Sequence, residues 1–162
     1  MAQPVTPPHL IDIFLQPGEW CLADQDYRIR TLLGSCVSVT CWHAASQTGA
    51  MTHFLLPSAH GKHKPEEAGR YADSALEAMV QQFGRQGIQV SQLQMKLFGG
   101  ASMFSGQDIS ARQIGQQNIS AARQFVQRLG GKFAAEHVGG QGHRNLIFEI
   151  GTGHVWLRQV KL

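Results

Sequence analysis

The spacing of hydrophobic and polar positions changes several times along the chain and divides it into short strand-like and longer helix-like stretches. Alternating or β-branched runs bounded by glycine and proline are typical of strands, whereas apolar residues that recur every three or four positions are typical of helices with one buried face. One predicted helix starts at Arg70 and ends near Gly84, and a second runs from Gln113 to Leu129. The predicted strands cover residues 9–15, 19–23, 27–33, 37–41, 50–56, 90–98, 132–138, 143–150 and 154–161.

The order of these elements predicts an α+β fold, because a strand-rich first part is followed by a helix, a strand, a helix and further strands. In such a fold the helices cover a mixed or antiparallel sheet. Residues 1–8 contain three prolines and are predicted to form a loose N-terminal arm. Residues 9–162 are predicted to form a single domain, since a chain of 162 residues is long enough to bury one sizeable core.

Composition narrows the class of protein. Hydrophobic residues make up 43% and charged residues 15% of the chain, which is typical of a globular protein, and the net charge of +3 comes from scattered basic residues. Scattered charge argues against a nucleic-acid partner. The chain has no apolar run of the roughly 20 residues that span a bilayer and no signal-peptide pattern at its start, so we expect a cytoplasmic protein that is not inserted in a membrane. Three cysteines without a CxxC pair also fit a reducing compartment.

The segment from Arg30 to Pro57 holds the residues best suited to chemistry. Cys36 follows a Leu-Gly-Ser turn and begins a run in which Cys41 shares one strand face with two valines, whereas Cys36 falls on the opposite face at the mouth of the strand. Cys41 is therefore predicted to be a core residue and Cys36 a reactive thiol.

His53 is the candidate base for this thiol, because a neighbouring imidazole is suited to produce the attacking thiolate. A symmetric hairpin about a loop at 44–49 places His53 opposite Thr40, about 13 Å along the strand from Cys36. A working pair then requires an asymmetric loop, a bulge, or a Cys36 that curls back from its turn. From the residues alone, a buried thiol beside a core histidine is the competing interpretation.

Other polar or glycine-rich positions have structural interpretations. Gly99-Gly100 has neither the lysine of a P-loop nor a GxGxxG spacing, so a tight turn that brings the backbone close to a substrate or to the active-site strand is favoured over phosphate binding. His60 and His63 lie in a polar segment without a third nearby ligand, so no metal site is expected. Asn118 interrupts an apolar helix stripe and is interpreted as a buried hydrogen-bonding residue.

Six short motifs occur together along the chain. They are LGSCV (Leu33–Val37), GAMTHFLLP (Gly49–Pro57), YAD (Tyr71–Asp73), FGGASMF (Phe98–Phe104), IGxxN (Ile114–Asn118) and GGQGHR (Gly139–Arg144). This set, in this order, resembles the CheD family of chemoreceptor glutamine deamidases of bacterial chemotaxis, and the likeness extends over roughly residues 10–160.

The resemblance implies a single-domain, three-layer α/β sandwich with mixed or antiparallel sheets and two main helices, related to cysteine-dependent deamidating toxins. It also implies an enzyme that hydrolyses selected glutamine side chains of chemotaxis receptors to glutamate through a cysteine thioester, without a metal or an organic cofactor. Hydrolysis of receptor methyl esters is a chemically close second activity.

The same resemblance assigns the site residues. Cys36 matches the nucleophile and His53 its base, and Thr31 is the candidate for the family's third polar group, although Arg30 competes for that place. By the logic of acyl transfer, backbone N–H groups around Ser35-Cys36 stabilise the tetrahedral oxyanion. Together with Ser35, the predicted oxyanion and substrate-binding positions are Gly99, Gly100 and Ser102.

The implied partners are the cytoplasmic helices of methyl-accepting chemoreceptors and a CheC-type phosphatase. Two other functions fit the chain. One is a non-catalytic adaptor that binds receptors or the phosphatase, and the other is a different thiol enzyme such as a transglutaminase or peptidase. Loss of the phenotype on replacing Cys36 separates an enzyme from an adaptor, and ammonia release without peptide cleavage or amine incorporation separates a deamidase from the other thiol enzymes.

Overall fold

The computed structural model describes residues 9–102 and 109–161, so the predicted arm at 1–8 and the end of the FGGASMF motif lie outside the described residues. The strands are β1 (Ile11–Phe14), β2 (Trp20–Ala23), β3 (Tyr27–Leu33), β4 (Val37–His43), β5 (Thr48–Thr52), β6 (Gln94–Gly99), β7 (Phe133–Val138), β8 (His143–Glu149) and β9 (His154–Val160). The helices are α1 (Ala72–Arg85) and α2 (Ile109–Arg128), and 3-10 turns cover Pro65–Arg70 and Val90–Gln92.

The strands form two mixed sheets, which confirms the predicted α+β fold with two main helices. The first sheet has four strands in the order β1-β3-β8-β9, and the second has five in the order β2-β5-β4-β6-β7. Each contains one parallel pair, β1 with β3 and β6 with β7, and its other pairs are antiparallel. The turn at Pro17-Gly18 carries the chain from one sheet to the other, so the two strands that it joins are not a hairpin.

Two apolar cores divide the molecule into three layers. One core joins both helices to one face of the five-stranded sheet, and the other lies between the two sheets. The first includes Val39, Phe54, Met79, Phe83, Leu97 and Val126. The second includes Ile29, Leu33, Met51, Leu146 and Phe148. The alternation of Val37, Val39 and Cys41 toward the helices confirms the predicted strand faces.

The β4–β5 hairpin differs from the prediction in its register. Its loop covers 44–47 instead of 44–49, and Thr40 pairs with Met51 instead of with His53. Gln47 adopts a left-handed backbone with φ 49°, so the turn closes two residues before Gly49, the predicted end of the loop. The shorter loop moves His53 two residues toward Cys36, which removes the difficulty of the symmetric hairpin.

Three predicted boundaries also shift by four residues. The second strand of the hairpin, predicted over 50–56, ends at Thr52. The predicted strand at 90–98 begins only at Gln94, because a 3-10 turn at Val90–Gln92 is closed by the Gln92 side chain, whose Oε1 accepts the Gln89 N–H at 2.8 Å. Helix α2 begins at Ile109, four residues before the predicted start at Gln113.

Neither α1 nor α2 has the length and apolar character that a bilayer crossing requires, within the part of the chain that the structure describes.

Candidate active site

The candidate residues meet at one end of the sandwich. Cys36 immediately precedes β4, His53 immediately follows β5, and Thr31 lies near the end of β3 in the other sheet. Antiparallel pairing of β4 with β5 brings the start of one strand to the end of the other. Three segments that are separate in sequence therefore converge at this end.

An isolated pair of hydrogen bonds beyond the hairpin fixes the relation of Cys36 to His53. Val37 and Phe54 exchange N–H···O bonds of 3.1 Å in both directions. In this register His53 faces Ser38 on the neighbouring strand, one pleat from Cys36, and diagonal neighbours of this kind have Cα atoms about 7–8 Å apart. Cys36 packs against the inter-sheet core, and the His53 side chain reaches Thr31 of the other sheet, so both side chains face the space between the sheets.

The Thr52 hydroxyl interrupts the ladder just before His53. The Val39 N–H donates to Thr52 Oγ1 at 3.0 Å, and that hydroxyl lies 3.4 Å from the Val39 carbonyl oxygen. The His53 backbone pairs instead with the turn before β2, where its N–H donates to Glu19 O at 3.1 Å and its carbonyl accepts the Gly18 N–H at 2.8 Å. The backbone of His53 is thus held at both its donor and its acceptor.

The hydrogen bonds of Thr31 decide which imidazole nitrogen of His53 carries the proton. Thr31 Oγ1 donates to the Leu15 carbonyl oxygen at 2.8 Å and lies 2.7 Å from His53 Nδ1. A hydroxyl has one proton, so toward His53 this oxygen accepts, and Nδ1 is the protonated nitrogen. His53 Nε2 keeps its lone pair, is buried, and has no hydrogen-bond partner among the described residues.

Burial keeps both partners of the pair uncharged at neutral pH. It raises the pKa of the Cys36 thiol, and a hydrogen bond from the thiol's own backbone amide offsets part of the rise. It lowers the pKa of His53 to about 4. The resting state is therefore a thiol beside a neutral imidazole, not a preformed thiolate–imidazolium pair. Because Nε2 is unpartnered, the two groups are not hydrogen-bonded to each other in this state.

Hydrogen bonds accepted by three successive carbonyls hold the turn that carries Cys36. The Gly34 carbonyl accepts the Ala101 N–H at 3.0 Å, and the Cys36 carbonyl accepts the Gly100 N–H at 2.9 Å. The Ser35 carbonyl lies 3.3 Å from the donating Nδ2 of Asn118. The amides of Ser35 and Cys36 donate to no backbone carbonyl of the described residues.

The glycine pair makes the close backbone approach that its sequence predicts. Gly99 has φ 106°, and a Cβ there would lie 2.3 Å from the Cys36 carbonyl oxygen, so only glycine fits. The amides of Gly100 and Ser102 are already donated, to Cys36 and Gly140 respectively. Gly99, Gly100 and Ser102 therefore support the cysteine turn and its neighbouring loop, and a direct substrate contact by them stays a prediction.

Asn118 is a buried hydrogen-bonding residue, as predicted. Its Nδ2 donates to Leu55 O at 2.9 Å as well as to Ser35 O. The Leu15 carbonyl has no signature in the sequence, because a main-chain acceptor leaves no signal in side-chain identity.

Arg144 is a second residue whose role the sequence pattern does not predict. It is buried and donates from Nε to His137 Nδ1 at 2.9 Å and from Nη2 to Gly139 O at 2.7 Å. The arginine at the end of the GGQGHR motif was the available signal.

The other cysteines and the loop histidines take structural positions. Burial raises the pKa of Cys21 to about 11 and that of Cys41 still further, and Cys41 lies in the helix-side core as predicted. His63 stacks on Tyr71 with ring centroids 5.7 Å apart. Across 9–102 and 109–161, no three His, Cys, Asp or Glu side chains are grouped so that they could hold a metal ion.

Comparisons with known proteins agree on one family. A family model described as CheD chemotactic sensory transduction matches residues 55–159. A probable chemoreceptor glutamine deamidase CheD 2 of Albidiferax ferrireducens is 48% identical over 153 residues, which cover 93% of this chain and 88% of the relative.

Two more distant relatives carry similar names. A probable chemoreceptor glutamine deamidase CheD 1 of Chromobacterium violaceum is 38% identical over 91% of this chain and 77% of its own length. The corresponding protein of Pseudomonas savastanoi pv. phaseolicola is 39% identical over 94% of this chain and 87% of its own length. The matches to these relatives span nearly the whole chain, whereas the family model begins two residues after His53.

Proposed function

This chain belongs to the CheD family of chemotactic sensory transduction proteins, and we propose that it is a chemoreceptor glutamine deamidase that converts receptor glutamine side chains to glutamate. The relatives bear this activity in their names, and the match to them covers nine-tenths of this chain or more. The proposed setting is the cytoplasm, where receptor helices present the glutamines.

The observation that carries the mechanism is the orientation of His53. Its Nδ1–H is directed to Thr31, and its unprotonated Nε2, on the sheet face that it shares with Cys36, has no hydrogen-bond partner in residues 9–102 and 109–161. A base with this orientation is suited to take the thiol proton when the two side chains approach to hydrogen-bonding distance. Catalytic hydrogen bonds are often long in the absence of substrate and shorten in the complex.

The proposed reaction has two stages. In the first, Cys36 Sγ attacks the carboxamide carbon as its proton passes to His53 Nε2, and the proton is then delivered to the leaving nitrogen, so that ammonia departs and a thioester remains. In the second, His53 takes a proton from water as the water attacks the thioester, and the released products are the glutamate side chain and the regenerated thiol. The Ser35 and Cys36 amides are the proposed oxyanion donors. The same chemistry applies to a receptor methyl ester, with methanol as the leaving group.

The decisive experiment is mass spectrometry of a purified receptor cytoplasmic fragment after incubation with the wild-type protein or with Cys36→Ala. We expect the wild type to replace NH₂ by OH at specific glutamines and Cys36→Ala to leave them unchanged. Cys21→Ala is the matched control, because it removes a half-buried thiol elsewhere in the same inter-sheet layer.

The alternative outcomes are distinct. If Cys36→Ala deamidates as fast as the wild type, the cysteine mechanism is wrong. If neither protein modifies the fragment but both bind it, the chain acts as a non-catalytic adaptor of receptors or of a CheC-type phosphatase.

A further inference from the structure

One side-chain amide connects helix α2 to both segments of the candidate site. Asn118 is fully buried, and its Nδ2 donates to Ser35 O at 3.3 Å and to Leu55 O at 2.9 Å. Ser35 directly precedes the nucleophile, and Leu55 lies two residues after the base. The hydrogen bonds between Val37 and Phe54 also join the two segments.

The geometry of the peptide group gives the contact with Ser35 a chemical meaning. In a trans peptide unit the carbonyl and the N–H point in opposite directions. The Ser35 carbonyl and the Cys36 N–H belong to the same unit, so a donor that holds the carbonyl toward α2 turns the Cys36 N–H away from α2. The Gly34 carbonyl and the Ser35 N–H also belong to one peptide unit. Because the Ala101 N–H donates to the Gly34 carbonyl, the Ser35 N–H points away from Ala101.

The result is two adjacent amides with fixed directions and no backbone acceptor among the described residues. One of them, the Cys36 amide, is close enough to its own thiol to favour the charged form of the sulfur. Preorganised N–H groups beside a nucleophile are the arrangement that stabilises an oxyanion, because they need no reorientation during the reaction.

We propose that Asn118 is a positioning residue of the deamidase: through the Ser35 carbonyl it aims the Cys36 amide at the oxyanion of the tetrahedral intermediate, and through Leu55 it keeps the strand of His53 in register. This inference rests on the proposed function for the identity of the oxyanion. Asn118 itself is fully buried, and it acts through the two carbonyls that accept its Nδ2 hydrogen bonds.

The unpaired Oδ1 of Asn118 indicates that this position is used for its Nδ2 donor. Asn118 Oδ1 is buried without a hydrogen-bond partner among the described residues, and a buried unpaired acceptor lowers stability. An apolar residue of similar volume would remove that unpaired acceptor, but it would also leave the Ser35 and Leu55 carbonyls without their donor.

The test compares Asn118→Leu and Asn118→Ala with Val126→Ala. Val126 lies on the same helix, eight residues beyond Asn118, and packs in the core between the helices and the five-stranded sheet, so Val126→Ala is a matched truncation away from the cysteine turn. Two quantities are measured on each folded protein. One is the rate at which iodoacetamide alkylates Cys36, resolved from the other cysteines by peptide mass spectrometry, which needs no receptor. The other is the kcat and KM for deamidation of the receptor fragment.

Both Asn118 variants are expected to lower kcat by about 10- to 100-fold, less than the roughly 10²–10³-fold loss on deleting an oxyanion donor, because the Cys36 amide is still present but no longer aimed. Their KM should change by less than about twofold, since Asn118 lies outside the substrate surface. Alkylation of Cys36 at pH 7 should slow by about threefold or more, because a misdirected amide stabilises the thiolate less. Val126→Ala should lose stability but keep the wild-type kcat and alkylation rate.

The inference is overturned if both Asn118 variants keep kcat and alkylation within about twofold of Val126→Ala. It is also overturned if they raise KM and leave kcat unchanged, because that pattern marks a loss of substrate binding. If the wild type itself does not deamidate, the proposed function fails, and the alkylation rates alone decide whether Asn118 positions the Cys36 amide.

Discussion

Thr31 has a single hydroxyl proton, and the Leu15 carbonyl receives it. This small asymmetry determines which nitrogen of the neutral imidazole carries the proton, since His53 must then donate from Nδ1, and its Nε2 has no hydrogen-bond partner among the described residues. In hydrolases of this general type, a partner that selects the histidine tautomer has a large effect on rate although it touches no substrate. At the scale of single residues, the hydrogen bonds of the candidate site therefore run from His53 through the Thr31 hydroxyl to the Leu15 carbonyl.

The change Thr31→Val tests this chain of hydrogen bonds with a side chain of similar shape. It leaves the Leu15 carbonyl and the His53 Nδ1–H buried without a partner, which should lower the free energy of unfolding by about 1–3 kcal/mol. It also frees the imidazole to adopt the other tautomer, so we expect kcat for deamidation to fall by at least about tenfold. Thr31→Ser keeps the hydroxyl and should retain most of the activity. Equal rates for the valine and serine variants, measured with the receptor fragment, would exclude the tautomer role.

At the scale of elements, helix α2 sits directly on the turn that follows β6. A Cβ on Gly115 would lie 2.5 Å from the Gly100 carbonyl oxygen, so helix and turn are in backbone contact at this point. The N–H of the same Gly100 holds the Cys36 carbonyl. Any change that pushes α2 away from the turn should therefore disturb the nucleophile.

Replacing a glycine by alanine in each helix separates this contact from helix propensity. Gly84 in α1 has open space where a Cβ would be, so Gly84→Ala should stabilise the protein by about 0.5–1 kcal/mol. Gly115→Ala gains the same propensity but meets a backbone carbonyl, so we expect net destabilisation together with a lower kcat. Urea unfolding and receptor deamidation measure the two effects. A stabilised, fully active Gly115→Ala would contradict the packing described here.

The sequence predicted the elements well and their mutual placement less well. Alternation predicts the two faces of β4, because the strand period is unambiguous when one face is apolar. The hairpin register differs from the predicted one because Gly49 resembles the end of a turn in the sequence. In the structure Gly49 lies within β5, where a Cβ would come within 2.8 Å of the Phe148 ring of the other sheet. A glycine required by a distant layer cannot be distinguished from a turn glycine by local pattern.

The site residues differ in the same way in how far the sequence predicts them. Cys36 and His53 have side chains whose chemistry suggests a role, Thr31 is implied by the family resemblance, and the structure joins Thr31 to His53 directly. The register that places His53 one pleat from Cys36, and the Leu15 carbonyl that orients Thr31, depend on contacts between sheets. Those contacts have no counterpart in sequence spacing.

At the scale of the whole molecule, the site is divided between the two sheets, with Thr31 on one and His53 and Cys36 on the other. The inter-sheet layer excludes water from the imidazole, and the lowered pKa of His53 reflects that burial. A buried group whose pKa differs between the folded and unfolded chains links global stability to pH.

The stability of the protein should therefore fall in acid partly through His53. Its pKa is about 4 when folded against an ordinary value of 6.5, so below pH 6.5 the unfolded chain binds a proton that the folded one does not. The stabilising contribution is complete above pH 6.5 and is lost as the pH falls toward 4. Between pH 7 and pH 4.5 this loss amounts to about 2–3 kcal/mol.

Urea unfolding of the wild type and of His53→Asn at several pH values measures this contribution. The asparagine Nδ2 can still donate to Thr31 but does not titrate, so the variant should lose less stability in acid than the wild type. Val126→Ala, which removes no ionisable group, should lose as much as the wild type. Parallel curves for the wild type and His53→Asn would show that the buried imidazole does not contribute.

The order of strands in the four-stranded sheet has a consequence for biosynthesis. Strand β3, which carries Thr31, is flanked by β1 from the start of the chain and by β8 from its last quarter, and β9 closes the same sheet. A ribosome has therefore made the thiol, the imidazole and the hydroxyl long before it makes β8 and β9, which complete the sheet that contains β3. We expect the nascent chain to remain inactive until its final hairpin emerges, so that no receptor glutamine is modified by an unfinished protein.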